Sequence, residues 1–128
     1  MDGTLTVLLL LALMQIKHLF ADFFMQTPWM LTDRERYMHM GRAVHAGIHC
    51  VFSILIFWAF GTSAVWIAIL VLFEWVTHFH IDFWKASTGV KKGHTPTDAA
   101  FWRAMGMDQA LHHLTNIVMA LVWYLYAS

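Results

Sequence analysis

Residues 63–85 read SAVWIAILVLFEWVTHFHIDFWK, an apolar run that ends in charge. About 20 mostly apolar residues suffice to cross a bilayer core as a helix. This stretch is long enough, and Glu74, His78 and Asp82 follow one another at helical spacing toward its far end. Ionisable groups at such depth are costly, avoid lipid and mark function by default. Three further stretches repeat the pattern. Thr4–Gln26 ends with His18 and Asp22, Gly41–Phe60 begins with His45 and His49, and Met107–Tyr126 begins with Asp108 and His112. In an up-down-up-down bundle, the ends of helices one and three meet the starts of helices two and four. The expected fold is all-α: a single domain of four transmembrane helices, near residues 4–26, 41–60, 63–85 and 107–126, with its polar groups gathered at one end.

Composition agrees. The chain has 128 residues, 59% hydrophobic and 12% charged, against roughly 25% charged in a soluble domain. A formal net charge of zero leaves no bulk attraction for nucleic acid. Cys50 is the only cysteine, so an intramolecular disulfide is excluded. The first run is too long for a signal-peptide core and no basic residue precedes it, so it reads as a retained span. Arg34, Arg36 and Arg42 lie between spans one and two, with Lys17 near the end of span one; Lys85, Lys91, Lys92 and Arg103 lie between spans three and four. Basic residues mark the cytoplasmic side, so both termini are expected outside and the polar cluster toward the cytoplasm. Trp29, Trp84 and Trp102 on that side, and Trp58, Trp66, Trp123, Tyr124 and Tyr126 on the other, read as interfacial belts.

The connections carry their own signals. Thr27-Pro28 ends the first helix, and Thr32 with Glu35 fits a capping box, so helix two is expected to begin before the membrane and run through Gly41. Ala86–Pro96, with two glycines and a proline, reads as loop. Ala99–Met105 reads as a short surface helix ended by Gly106. His18-Leu-Phe-Ala-Asp22 resembles His78-Phe-His-Ile-Asp82, and His45 to His49 resembles Asp108 to His112. This weak repeat points to a duplicated helical hairpin.

The i, i+4 pairs are His18/Asp22, His45/His49, His78/Asp82 and Asp108/His112, with Glu74 one turn deeper. Gln15, Ser53 and Asn116 supply a still deeper polar layer. Imidazole with carboxylate suits zinc first, then iron or manganese, and bundles build metal sites from facing side chains. The bland alternative is a polar network that only holds helices together. His39 and His94 read as solvated, and His80 and His113 as peripheral.

The set Asp22-Phe-Phe-Met-Gln26, His45, His78-Phe-His-Ile-Asp82-Phe-Trp-Lys85 and Asp108-Gln109-Ala-Leu-His112 resembles a small four-helix bacterial and phage inner-membrane family, domain of unknown function 3307. The resemblance covers nearly the whole chain and implies a shared polar set of Asp22, Gln26, His45, His78, Asp82, Lys85, Asp108, Gln109 and His112; His18 and His49 match it less closely and stay among the candidate metal ligands with Asp22, His45, His78, Asp82, Asp108 and His112. It also implies a bacterial inner membrane. More distantly, the pattern is similar to inner-membrane metal-dependent hydrolases. A metallohydrolase would use Asp82, Asp22 or Glu74 as base and Lys85 near a lipid phosphate, with lipid or a lipid-linked headgroup as substrate. Self-association into a homo-oligomer is left open. A proton or ion path is the main alternative. A di-iron oxygenase is a weaker one, since the chain lacks a second His-x-x-x-His box.

Overall fold

The computed structural model describes residues 2–128. Helix α1 spans Gly3–Leu19 and continues as a π-helical turn, Phe20–Phe24. A short α2, Pro28–Leu31, starts on proline, whose missing N–H costs nothing at a first helical position. Then come α3 (Met40–Ala59), α4 (Ala64–Lys92) and α5 (Ala99–Val122), the last continued by a π-helical turn, Trp123–Ala127. No strand occurs among the described residues.

The four long helices close a ring: α1 packs on α3 and α5, and α4 packs on α3 and α5. Gly3–Phe24, Met40–Ala59 and Ala64–Lys92 are long and apolar enough to cross a membrane. Helix α5, with 24 residues, is outside that set, because Asp108, Gln109, His112, His113 and Asn116 dilute its apolar content. Leu8, Val51, Leu72 and Leu121 face outward and are exposed. Leu10, Met14, Phe57, Leu70, Met119 and Trp123 fill one half of the interior. The Trp123 indole N–H donates to Thr62 Oγ1 at 2.7 Å, so this apolar half leaves no indole donor orphaned.

Three boundary expectations are corrected. Helix α3 does not begin in a Thr32–Glu35 capping box. Thr32 is used up on the Pro28 carbonyl (3.0 Å), and Asp33 takes a left-handed φ of 54°, which breaks any helix there. His39 caps instead, its Nδ1 accepting from Arg42 N–H at 2.9 Å, so it is structural rather than merely solvated. A Cβ on Gly41 would stand 2.8 Å from Met30 Cα, which shows how closely α2 packs on the start of α3. Ala86–Lys92 is not loop. It extends α4 to Gly93, whose φ of 62° and the His94 N–H to Gly89 carbonyl bond (3.1 Å) close the helix in a left-handed cap. Gly106 does not end a surface helix either; α5 runs through it. An interior glycine costs only about 1 kcal/mol relative to alanine, which tethers further along the helix offset.

Candidate metal centre

The inward stripe of α1 is Leu10, Met14, Lys17 and His18, followed by the π-helical turn, in which Ala21 is buried. In that turn Met25 N–H bonds the Phe20 carbonyl at 2.9 Å, five residues back. Such turns rotate the following side chains and recur at functional sites. Asp22 sits inside it. Its Oδ1 lies 2.9 Å from His49 Nε2, 3.1 Å from His45 Nε2 and 3.9 Å from His78 Nε2. Its Oδ2 lies 3.2 Å from His18 Nε2.

Helices α3 and α4 supply the facing wall. His45 Nε2 and His78 Nε2 are 3.2 Å apart. Asp82 Oδ2 stands 3.5 Å from each of them, while its Oδ1 is 3.1 Å from His112 Nε2 on α5. His112 Nε2 is also 3.4 Å from Asp108 Oδ1. Asp108 Oδ2 takes Lys85 Nζ at 3.1 Å and Gln109 Nε2 at 3.0 Å. Gln109 reaches across to His18 Nε2 (2.9 Å) and to Asp22 Oδ2 (3.3 Å). None of the five imidazoles is more than 4% exposed, so these contacts lie in a desolvated interior.

The donors fit a metal on three counts. Asp22, His45, His49 and His78 each offer an atom within 4.8 Å of the others, as do His78, Asp82 and His112. A tetrahedral zinc with bonds of about 2.0–2.1 Å requires donor separations of about 3.3 Å, the scale of the His45–His78 spacing. Finally, Asp108 Oδ1 and His45 Nδ1 are buried with no hydrogen-bond partner, and Asp82 Oδ2 has only an ion pair with Arg34 at 3.2 Å. Buried polar groups are almost always satisfied, so orphaned polar atoms need an explanation, and an ion is one.

The predicted residues do not all converge. Glu74 lies in a separate layer, tied to Lys17 by a buried ion pair that Ser53 completes by accepting from Lys17 at 2.6 Å. Asn116 turns to the Met14 carbonyl (3.4 Å), and Gln15 bonds His113, which is drawn in against the His18 ring rather than left peripheral. Gln26 lines a cavity beside Asp22. His80 bonds Tyr37, away from the centre.

In the sequence, Lys17, Arg34 and Arg42 signal only topology. Lys17 is buried, and its place on the Leu10–Met14 stripe was the available signal. Arg34 reaches Asp82 Oδ2 at 3.2 Å from the loop 32–39. Arg42 is fully buried and holds that loop, donating to the carbonyls of Arg34, of Arg36 (2.8 Å) and of Tyr37 (2.9 Å), with Phe79 and Phe83 against its guanidinium. No sequence spacing marks either arginine, because the loop's return onto the bundle end is tertiary.

Residues 7–128 match the model of a family described as a protein of unknown function, DUF3307. No curated protein and no solved structure matches the chain.

Proposed function

The chain belongs to the family of proteins of unknown function DUF3307, and from the geometry of its polar cluster we infer that it holds a divalent transition metal and hydrolyses a lipid or lipid-linked substrate. One observation carries this reading. His45, His49 and His78 present ring nitrogens to one point shared with an Asp22 oxygen, in a buried interior. Nitrogen-rich donors with carboxylate favour zinc, with iron or manganese next.

A divalent metal in this cluster supplies Lewis acidity to water and to the scissile group. The chain's own residues do the rest. Asp22, His45, His49 and His78 form the binding set. Asp82, whose Oδ2 faces His45 and His78, takes the proton of the attacking water. His112, between Asp82 and Asp108, orients that carboxylate. Lys85 faces the negative charge that builds on the leaving oxygen. Gln109 and His18 hold Asp22 from behind.

All four long helices belong in the membrane on this reading, with α5 shielding its polar face against α1 and α4. The basic loops lie on the cytoplasmic side of a bacterial inner membrane and both termini outside. A continuous ion path is disfavoured by the apolar packing of Leu10, Met14, Phe57, Leu70 and Met119.

Metal analysis of the protein purified in detergent tests the centre. The expected result is a stoichiometric first-row metal whose chelation lowers the melting temperature and whose return restores it. A metal-free protein indifferent to chelator would retire the metallohydrolase and leave the polar network. Asp82→Asn should keep metal and lose turnover on an ester panel. Accessibility labelling of cysteines placed at Ser128 and Lys92, on a Cys50→Ala background, tests the orientation; labelling of Ser128 only from the cytoplasm would reverse it.

A further inference from the structure

Two cavities meet at the polar end of the bundle. One, of about 110 Å³, opens on Asp22, His45 and Asp82, with Gln26 in its wall. The other, of about 190 Å³, is walled mainly by Ala86, Gly89, Val90, Phe101 and Ala104, between the last turns of α4 and the first of α5. Arg34 and Lys85 line both. Two cations therefore stand on the seam between a polar chamber and an apolar one.

Neither cation is there by chance of a floppy side chain. Arg42 fixes the backbone carbonyl of Arg34 itself, and Asp108 fixes Lys85. Arg34 also keeps a buried Nε with no acceptor. A guanidinium offers five donors and prefers planar oxyanions, so one ion pair to Asp82 leaves it unsaturated. The charge balance points the same way. Asp22, Glu74, Asp82 and Asp108 face Lys17, Arg34, Lys85 and the buried Arg42, so the fixed charges cancel with the histidines neutral. A divalent metal then makes the site net positive, and an anion completes it.

We propose that this seam binds the phosphate of an amphiphile, with Arg34 and Lys85 clamping the anion beside the metal centre and the hydrocarbon entering the pocket between α4 and α5. The assignment rests on the metal-centre reading for its charge balance. The phosphate is that of a lipid rather than a free ion, because the cavity beyond the two cations is apolar apart from His94, and Gly89 leaves it open: nothing lies within 4 Å of a Cβ added there.

Calorimetric titration of the full chain in detergent, loaded with zinc, tests this with three probes. These are a phosphonate analogue of dioctanoyl phosphatidic acid, dioctanoylglycerol and inorganic phosphate. The phosphonate should bind about tenfold or more tighter than either of the others, the scale of one charge-assisted contact. Arg34→Gln and Lys85→Met should each weaken it by about tenfold while retaining zinc. Gly89→Phe should weaken the phosphonate and leave inorganic phosphate unchanged. Equal affinity for the phosphonate and dioctanoylglycerol, or wild-type binding in both charge variants, would overturn the seam; stoichiometric zinc in that case leaves the metal centre standing. Inorganic phosphate binding as tightly as the phosphonate, with Gly89→Phe silent, would make this a free-phosphate site and overturn the lipid assignment. Protein that takes up no zinc yet selects the phosphonate through Arg34 would uphold the seam and overturn the metal centre.

Discussion

Two polar layers lie one helical turn apart in this bundle, and they are built on different principles. In the deeper one, Lys17 meets Glu74 with Ser53 and the His49 carbonyl as further acceptors. One cation faces one anion. In the upper one, five imidazoles surround Asp22, Asp82 and Asp108, and their ring nitrogens converge on shared carboxylate oxygens. A matched pair is what helix packing needs. A surplus of ligand atoms aimed at one point is what an ion needs. The difference separates architecture from chemistry inside a single apolar protein.

The largest effect is expected at Lys17. Lys17→Met strands Glu74, and removing one partner of a buried pair costs about 3–5 kcal/mol. Lys17→Met with Glu74→Leu should recover most of that loss, and the folded fraction of either should keep its metal. Chemical denaturation in detergent checks it; a single variant as stable as the double would mean the pair is not structural. The upper layer should answer the opposite way. With metal at about 100 times its dissociation constant, stabilisation is about 2.7 kcal/mol. His78→Ala should abolish that response in a thermal melt while keeping the helical spectrum. A melt of His78→Ala that still rises with added metal would remove His78 from the ligand set.

A smaller effect is expected one contact further out. Gln109→Ala removes the amide that joins Asp22, Asp108 and His18, and such outer partners are worth about 10–100-fold in metal affinity. Competition against a fluorescent zinc chelator measures it, and an unchanged affinity would make Gln109 a helix-packing residue only. The smallest effect belongs to a control outside both layers. The exposed Asp98 carboxyl is held below its ordinary value chiefly by the Thr95 N–H, and also by the Thr95 hydroxyl. A lowered folded value means its contribution is present above the ordinary carboxylate range and lost as pH falls through the lower one. The Thr95 amide resonance should shift in that acid window with the Lys17–Glu74 layer unaffected. An amide that ignores acid would show the turn is held by other contacts.

Much of the cluster was legible because periodicity survives folding. His45 and His49, His78 and Asp82, and Asp108 and His112 lie on α-helical faces, so i, i+4 spacing placed each pair correctly. Asp22 was placed with His18 by the same rule, yet its reach to His45 and His49 depends on the π-helical turn, which no spacing announces. Glu74 was expected among the site carboxylates because nothing in the sequence says that Lys17 claims it.

The helical, apolar character of this chain, and the fall of its acids and histidines at matching helix ends, follow from residue order alone, because those properties are local and set by a repeat of 3.6 residues. Which charges cancel and which converge depends on how the helices and the loop 32–39 pack. The tertiary structure folds that loop back so that Arg42 delivers Arg34 to Asp82, and it extends α4 so that Lys85 sits beneath an apolar pocket. Those outcomes depend on distances between residues far apart in the chain, and pairing energies of that kind have no period to read.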